Sequence, residues 1–262
     1  MVTETSPSPK LVPTAGSRNR WFAYASPAVF YPLAGKLIPW FFALAALLTC
    51  VGLYIGFFIA PTDFQQGDSY RIIFLHVPAA WMSMVIYLAM AFWAVIGFVF
   101  NTRLSSMMAS ALAPTGTMFT FLALWTGSLW GKPTWGTWWK WDARLTSYLI
   151  LLFLYIGFIS LQAALDDARR ADKAGAVLAL VGVVNIPIIY FSVQWWNTLH
   201  QGSSISFTAA PTMVATMLWG MLTMALAFWA YSIAAALTRV RCIILEREKR
   251  TDWVRELVEK QS

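Results

Sequence analysis

The chain has 262 residues, of which 59% are hydrophobic and 12% are charged, and its mean hydropathy is +0.60. A soluble domain carries about twice that charged fraction, so this composition excludes an ordinary soluble protein and indicates an integral membrane protein. The formal net charge of +7 is not arranged as a basic stripe on a soluble domain. It therefore predicts basic cytoplasmic loops and excludes nucleic-acid binding.

Six apolar stretches are long enough to cross a bilayer, since each crossing needs about 20 apolar residues. No charged residue occurs between Ala174 and Thr238, which is too long for one span and suits two separated by the polar patch 194–208. The sequence therefore predicts an all-α integral membrane protein, a bundle of six transmembrane helices. The expected parts are a disordered cytoplasmic tail (1–20), a membrane domain (21–238) with spans near 37–60, 78–100, 107–129, 145–165, 175–195 and 211–237, and an amphipathic cytoplasmic tail (239–262).

The distribution of lysine and arginine predicts the orientation of the bundle. Fifteen of the nineteen basic residues fall before the first span, in the C-terminal tail, in the 101–103 turn and in the 166–173 loop. Because cytoplasmic loops are enriched in basic residues, both termini are expected to be cytoplasmic. The loops 61–77, 130–144 and 194–210 then lie on the periplasmic side, together with Arg71, Lys132, Lys140 and Arg144.

A tryptophan-rich loop at 130–147 is the most unusual feature of the periplasmic side. Five of the fifteen tryptophans fall within twelve residues of it. Interfacial belts account for scattered tryptophans, but this density favours a binding surface for a large planar ligand. If 135–142 is helical, four of its residues share one face. The candidate binding residues are Trp130, Trp135, Trp138, Trp139, Trp141 and Asp142.

The only two histidines of the chain, His76 and His200, flank this loop. A single histidine near a membrane surface is usually a hydrogen-bonded loop residue, but two on one side suit the axial positions of a haem iron. Two ligands alone make a poor zinc site. The pair therefore favours haem over zinc.

Two arginines, Arg71 and Arg144, lie close to these features, and their guanidinium groups could hold haem propionates. The alternatives are salt bridges to Asp63, Asp68 or Asp142, or contact with lipid headgroups. Asp142 itself could orient a cation or cap the fourth helix. Lys132 and Lys140 are weaker candidates.

The sequence gives little support for thiol chemistry, nucleotide hydrolysis or nucleophilic catalysis. Cys50 and Cys242 lie far apart without a C-x-x-C motif and are interpreted as structural. There is no P-loop and no nucleophile–base pair, so the chain is not expected to be an enzyme. Asn185, beside Pro187 in the fifth span, is either an intramembrane site or a partner for freed backbone groups.

The run W-G-K-P-T-W-G-T-W-W-K-W-D-A-R-L-T-S at 130–147 resembles the "WWD" signature of haem-handling proteins in cytochrome c maturation. Length, six spans and the flanking His76 and His200 are similar to the haem exporter protein C (CcmC) family in particular. The larger haem-lyase and synthase relatives typically continue with W-D-P and carry an additional histidine pair. Here the motif reads W-D-A-R, which favours the smaller family.

The resemblance implies a protein of the bacterial inner membrane that holds haem b on its periplasmic face. In the family the axial ligands match His76 and His200, and the aromatic loop cradles the porphyrin. Haem is then presented to a periplasmic haem chaperone (CcmE), beside an ATP-binding-cassette pair (CcmA and CcmB) and a small subunit (CcmD). Two other interpretations stay open: a transporter that moves haem across the bilayer, and a b-type cytochrome in quinone-linked electron transfer.

Overall fold

The structure, a computed structural model, describes residues 25–200 and 210–259. The expected disordered tail at 1–20 and much of the 194–210 loop lie outside these residues. The described residues form helices and no strand. The helices are α1 (Pro27–Tyr54), α2 (Ile73–Phe100), α3 (Arg103–Trp135), α4 (Ala143–Ala164), α5 (Ala168–Gly182), α6 (Asn185–Trp195), α7 (Ala215–Arg247) and α8 (Asp252–Glu259).

Six helical segments of the described chain are long and apolar enough to cross a membrane, which confirms the predicted count. Five of these are α1 to α4 and α7, each with any short helical turn that adjoins it, and α5 with α6 forms the sixth. The α5–α6 segment is interrupted by a turn at Val183 and Val184, just before Pro187. A proline within a helix removes one backbone hydrogen bond, so a break at this point is expected.

Several helices extend past the spans expected from hydropathy. α2 begins at Ile73 after a short 3₁₀ turn, so His76 lies inside a helix rather than in a loop. α3 runs to Trp135, and α7 continues to Arg247. Hydropathy marks only the part of a helix that needs lipid, whereas backbone hydrogen bonding continues into the interface.

The segment 136–142 is not helical, so the shared face expected for Trp135, Trp138, Trp139 and Asp142 does not form. Gly136 adopts φ 74°, a left-handed conformation that ends α3 and that glycine tolerates best. Asp142 then starts α4, because its side chain accepts a hydrogen bond from the Leu145 backbone N–H.

The bundle has two distinct ends. At the end that holds the first and last described residues, Tyr31 near the start of α1 contacts Trp253 in α8, with ring centroids 5.9 Å apart. The opposite end is formed by the start of α2, the end of α3, the start of α4 and the end of α6. That end carries both histidines and the tryptophan-rich segment.

Candidate haem site

His76 is buried near the start of α2, where it packs against α3. Its side chain is only 8% exposed. Its Nδ1 atom lies 3.0 Å from the hydroxyl oxygen of Thr126. The sequence analysis placed His76 in the loop 61–77, whereas the residue lies in α2, because α2 starts earlier than hydropathy indicates.

His200 lies beyond the end of α6 and is half-buried. The centroids of the His76 and His200 rings are 6.2 Å apart, and the ring planes differ by 23°. Trp135 packs edge-on against His200 at 5.6 Å, and Trp130 does the same against His76 at 5.7 Å. Two residues more than a hundred positions apart therefore meet between two tryptophans of α3.

Open space lies on either side of the histidine pair. A cleft of ≈ 580 Å³ and a second of ≈ 370 Å³ are both bordered by His76, His200, Gly127 and Trp135. The larger cleft extends toward α4, and the smaller one toward the segment before α2. The larger is also lined by Val77, Ala80, Trp81, Ala123, Leu124, Arg144, Leu145 and Tyr148, and the smaller by Gln66, Trp130, Gly131 and Thr134.

The spacing of the two imidazoles suits a shared iron. A metal–imidazole bond of about 2 Å, with about 1.1 Å from nitrogen to ring centre, places two opposite ring centroids about 6 Å apart. The observed separation is 6.2 Å. Within the described residues, no group of three or more His, Cys, Asp or Glu side chains could hold a metal ion. The separation of the two ring centroids thus matches that expected for two imidazoles on opposite sides of one metal ion.

The tryptophans divide into two groups. Trp130 and Trp135 belong to α3 and line the clefts, and the Trp130 Nε1 donates a 2.7 Å hydrogen bond to Gln66. The other three lie in the segment 136–142 and do not line either cleft. They are Trp138, Trp139 and Trp141. The Lys132 Nζ lies 5.9 Å from the ring centroid of Trp138, and the ring centroids of Trp139 and Trp141 are 5.4 Å apart. The Trp141 side chain is 74% exposed.

The two arginines also differ in position. Arg144, in the first turn of α4, borders the larger cleft. Arg71 does not line either cleft: its Nε donates to Asp68 at 3.0 Å, and its Nη1 donates to the Gly56 and Ala60 carbonyls at 2.6 and 3.2 Å. These contacts match the salt-bridge alternative and hold the segment between α1 and α2 in place.

Asp142 is buried, and the two oxygens of its carboxylate have different surroundings. Oδ1 accepts the Leu145 N–H at 2.8 Å, so the residue caps α4. Oδ2 is buried and has no hydrogen-bond partner among the described residues, and the same holds for the Trp139 Nε1. The capping role that sequence alone left open is therefore present.

Two further residues singled out by sequence take structural positions. Asn185 donates a 2.9 Å hydrogen bond from Nδ2 to the Ser147 carbonyl and so joins α6 to α4. The cysteines Cys50 and Cys242 are free and exposed. Neither borders the clefts at the histidine pair.

Sequence reasoning missed Thr126, Gly127, Gln66 and Tyr148, which all lie at the clefts or contact His76. They are common residue types in apolar or polar surroundings, so no motif marked them. The four-residue spacing between Thr126 and Trp130 on α3 was the one available signal, because it places both on one helix face.

Comparison with known proteins identifies the family of this chain. The heme exporter protein C family profile matches residues 20–255. Heme exporter protein C of Escherichia coli strain K12 is 50% identical over 238 residues, covering 90% of this chain and 96% of that protein. Heme exporter protein C of Haemophilus influenzae is 44% identical over 236 residues, covering 90% of this chain and 96% of that protein. Heme exporter protein C of Bradyrhizobium diazoefficiens is 45% identical over 227 residues, covering 87% of this chain and 86% of that protein. These matches confirm the resemblance drawn from the tryptophan motif, and the chain belongs to the heme exporter protein C family.

Proposed function

We propose that this chain holds haem b between His76 and His200 on the periplasmic face of the bacterial inner membrane and delivers it for cytochrome c maturation. The observation that carries the proposal is the 6.2 Å separation of the two imidazole centroids. Family membership supports a role in haem delivery, and the six apolar helices support a multi-pass inner-membrane protein.

The surroundings of the histidines support a planar, amphipathic cargo. Trp135 and Trp81 offer aromatic surface, and Arg144 offers a cation at the rim of the larger cleft. A guanidinium group pairs well with carboxylates, so Arg144 is the first candidate to hold a propionate. Arg71 is engaged by Asp68 and two carbonyls, so we assign it first to supporting the loop before α2.

The proposed cargo is held without a covalent bond to the protein. The chain has two cysteines and no C-x-x-C-H attachment motif, so ligation by histidine is the available chemistry. The proposed partners are those of the cytochrome c maturation system: the periplasmic chaperone CcmE, the ATP-binding-cassette subunits CcmA and CcmB, the small subunit CcmD, and membrane lipids. The exposed Trp138 and Trp141 are the residues proposed to contact the chaperone.

The axial-ligand assignment is tested by absorption and electron paramagnetic resonance spectra of the purified full chain, oxidised and reduced. The wild type should carry one low-spin haem. His76→Ala and His200→Ala should each lose the low-spin signature, because one axial ligand is removed. Retention of the wild-type spectrum in both variants would refute the assignment.

Presentation is separated from transport by reconstituting the chain in sealed vesicles. If the chain presents haem, chaperone outside the vesicles acquires haem supplied on the outside, and haem enclosed inside does not reach it. Rapid chaperone loading from enclosed haem would favour transport instead. Both clefts lie at the histidine end of the bundle, which supports presentation.

A further inference from the structure

We propose that Thr126 is a positioning residue that fixes the tautomer of His76, so that Nδ1 carries the proton and Nε2 carries the lone pair. The part of this proposal that concerns iron rests on the proposed function. The tautomer itself is a property of the haem-free protein. Thr126 lies on α3, one position before Gly127.

The hydrogen bonds of Thr126 determine the direction of its contact with His76. A threonine hydroxyl has one proton to donate and can accept elsewhere. The Thr126 hydroxyl lies 2.6 Å from the Leu122 carbonyl one turn earlier, and a carbonyl can only accept. The proton of the hydroxyl is therefore committed to Leu122. The 3.0 Å contact with Nδ1 must then be a hydrogen bond donated by His76.

The position of the ring is restricted by its neighbours on α3. A Cβ atom placed on Gly127 would lie 2.9 Å from His76 Cε1, which is closer than real contacts allow. The ring therefore lies against the backbone of α3, and Trp130 packs against it from the next turn. Thr126, Gly127 and Trp130 together hold both the orientation and the protonated edge of the imidazole.

The remaining nitrogen is available to a ligand. Nδ1 of His76 is engaged by Thr126 and the ring borders both clefts, so Nε2 is the nitrogen left for a ligand. A neutral imidazole with Nδ1 protonated presents its lone pair at Nε2, the form that binds a metal. Metal-binding histidines commonly donate their other N–H to a fixed acceptor, which raises the basicity of the ligand. Thr126 occupies the place of that acceptor.

The tautomer can be measured directly in the haem-free protein. The chain has two histidines, so His200→Ala leaves His76 as the single signal for ¹⁵N-histidine NMR of the full chain in micelles. We expect a protonated Nδ1 and an unprotonated Nε2. Adding Thr126→Val should move the population toward Nε2–H, and adding Thr126→Ser should keep the original spectrum, because serine retains the hydroxyl. A spectrum with Nε2 protonated before any change at Thr126, or an unchanged spectrum in Thr126→Val, would overturn the proposal.

The effect on haem is measured in the otherwise wild-type chain. Thr126→Val should weaken haem binding about tenfold, the lower end of the range for losing such a partner. It should also raise the haem midpoint potential, because a less basic imidazole stabilises ferric iron less. Thr126→Ser should restore both quantities, which a merely structural loss would not predict.

The two proposals can fail separately. If His76→Ala keeps the wild-type haem spectrum, the ligand assignment fails, and the NMR measurement still decides the tautomer. If His76→Ala loses the low-spin signal while Thr126→Val matches the wild type in NMR, affinity and potential, the role of Thr126 alone is refuted.

Discussion

The two ends of the bundle are built in different ways. At the end that holds the first and last described residues, ion pairs join the helices. Arg247 contacts both carboxylate oxygens of Asp172 at 2.8 and 3.0 Å, and Arg103 lies 3.0 Å from Glu248. At the histidine end, the helices border two clefts, and two imidazoles face each other across 6.2 Å.

From this difference we expect one end of the bundle to contribute mainly to stability and the other mainly to binding. The ion pairs join α5 to α7 and α3 to the residue that follows α7, which fixes one end of the helices. The histidine end instead carries the imidazole pair with its two clefts, while a third cleft, bordered by Asn101, Arg103 and Asp172, lies at the end with the ion pairs. Substitutions at the two ends should therefore affect different measurements, and the predictions below test that separation.

The largest effect is expected from Gly127→Val at the histidine end. Its side chain would displace the His76 ring and enter both clefts, since even a Cβ atom would lie 2.9 Å from His76 Cε1. Haem affinity should fall about a hundredfold, or about 2.7 kcal/mol. Haem titration of the purified chain measures this. Gly157, on α4 and away from the clefts, is the matched site: Gly157→Ala should bind haem normally. Equal affinity in Gly127→Val and the wild type would contradict the described position of His76.

The opposite end should respond in stability alone. Asp172→Ala leaves Arg247 without its partly buried partner and should destabilise the chain by about 2 kcal/mol. Thermal unfolding in detergent measures the loss, and the haem spectrum should not change. Asp166→Ala is the control, because Asp166 makes no ion pair within residues 25–200 and 210–259. A lost haem spectrum in Asp172→Ala would show that the two ends are coupled.

A smaller effect is expected at the start of α4. Asp142→Ala removes the cap on Leu145 and should cost about 1 kcal/mol, whereas Asp142→Asn keeps a capping oxygen and should cost much less. Chaperone loading should weaken in Asp142→Ala, because the cap also positions Arg144. Transfer of haem to the chaperone, followed beside thermal unfolding, measures both effects. If Asp142→Asn loads as poorly as Asp142→Ala, the charge of Asp142 acts directly and the cap is not the cause.

The smallest change in stability is expected from Trp141→Ala. Its side chain is 74% exposed, so the free energy of unfolding should change by less than about 0.5 kcal/mol. The haem spectrum should stay the same, while chaperone loading should fall several-fold. Trp40→Ala is the matched control, since Trp40 is 76% exposed on α1, away from the loop. Similar loading in both variants would identify the loop as an interfacial belt.

Local features of this chain were predictable because they depend on short stretches of sequence. The six crossings follow from the length of the apolar runs, and the density of tryptophans between 130 and 141 marked the end of the bundle where the two histidines meet. The family resemblance followed from the same motif. The conformation of 136–142 was predicted wrongly, because helical spacing alone could not show that Gly136 ends one helix and Asp142 starts the next.

The sequence by itself therefore determined the membrane architecture and identified the two histidines as the candidate ligands. Only the tertiary structure decided that the ring centroids of His76 and His200 lie 6.2 Å apart, that Arg71 is engaged by Asp68, and that the Thr126 hydroxyl lies 3.0 Å from His76 Nδ1. The physical reason is that apolar length and composition act along the chain, within one helix at a time. The meeting of side chains from different helices depends on the rotation and packing of those helices, which no single stretch encodes.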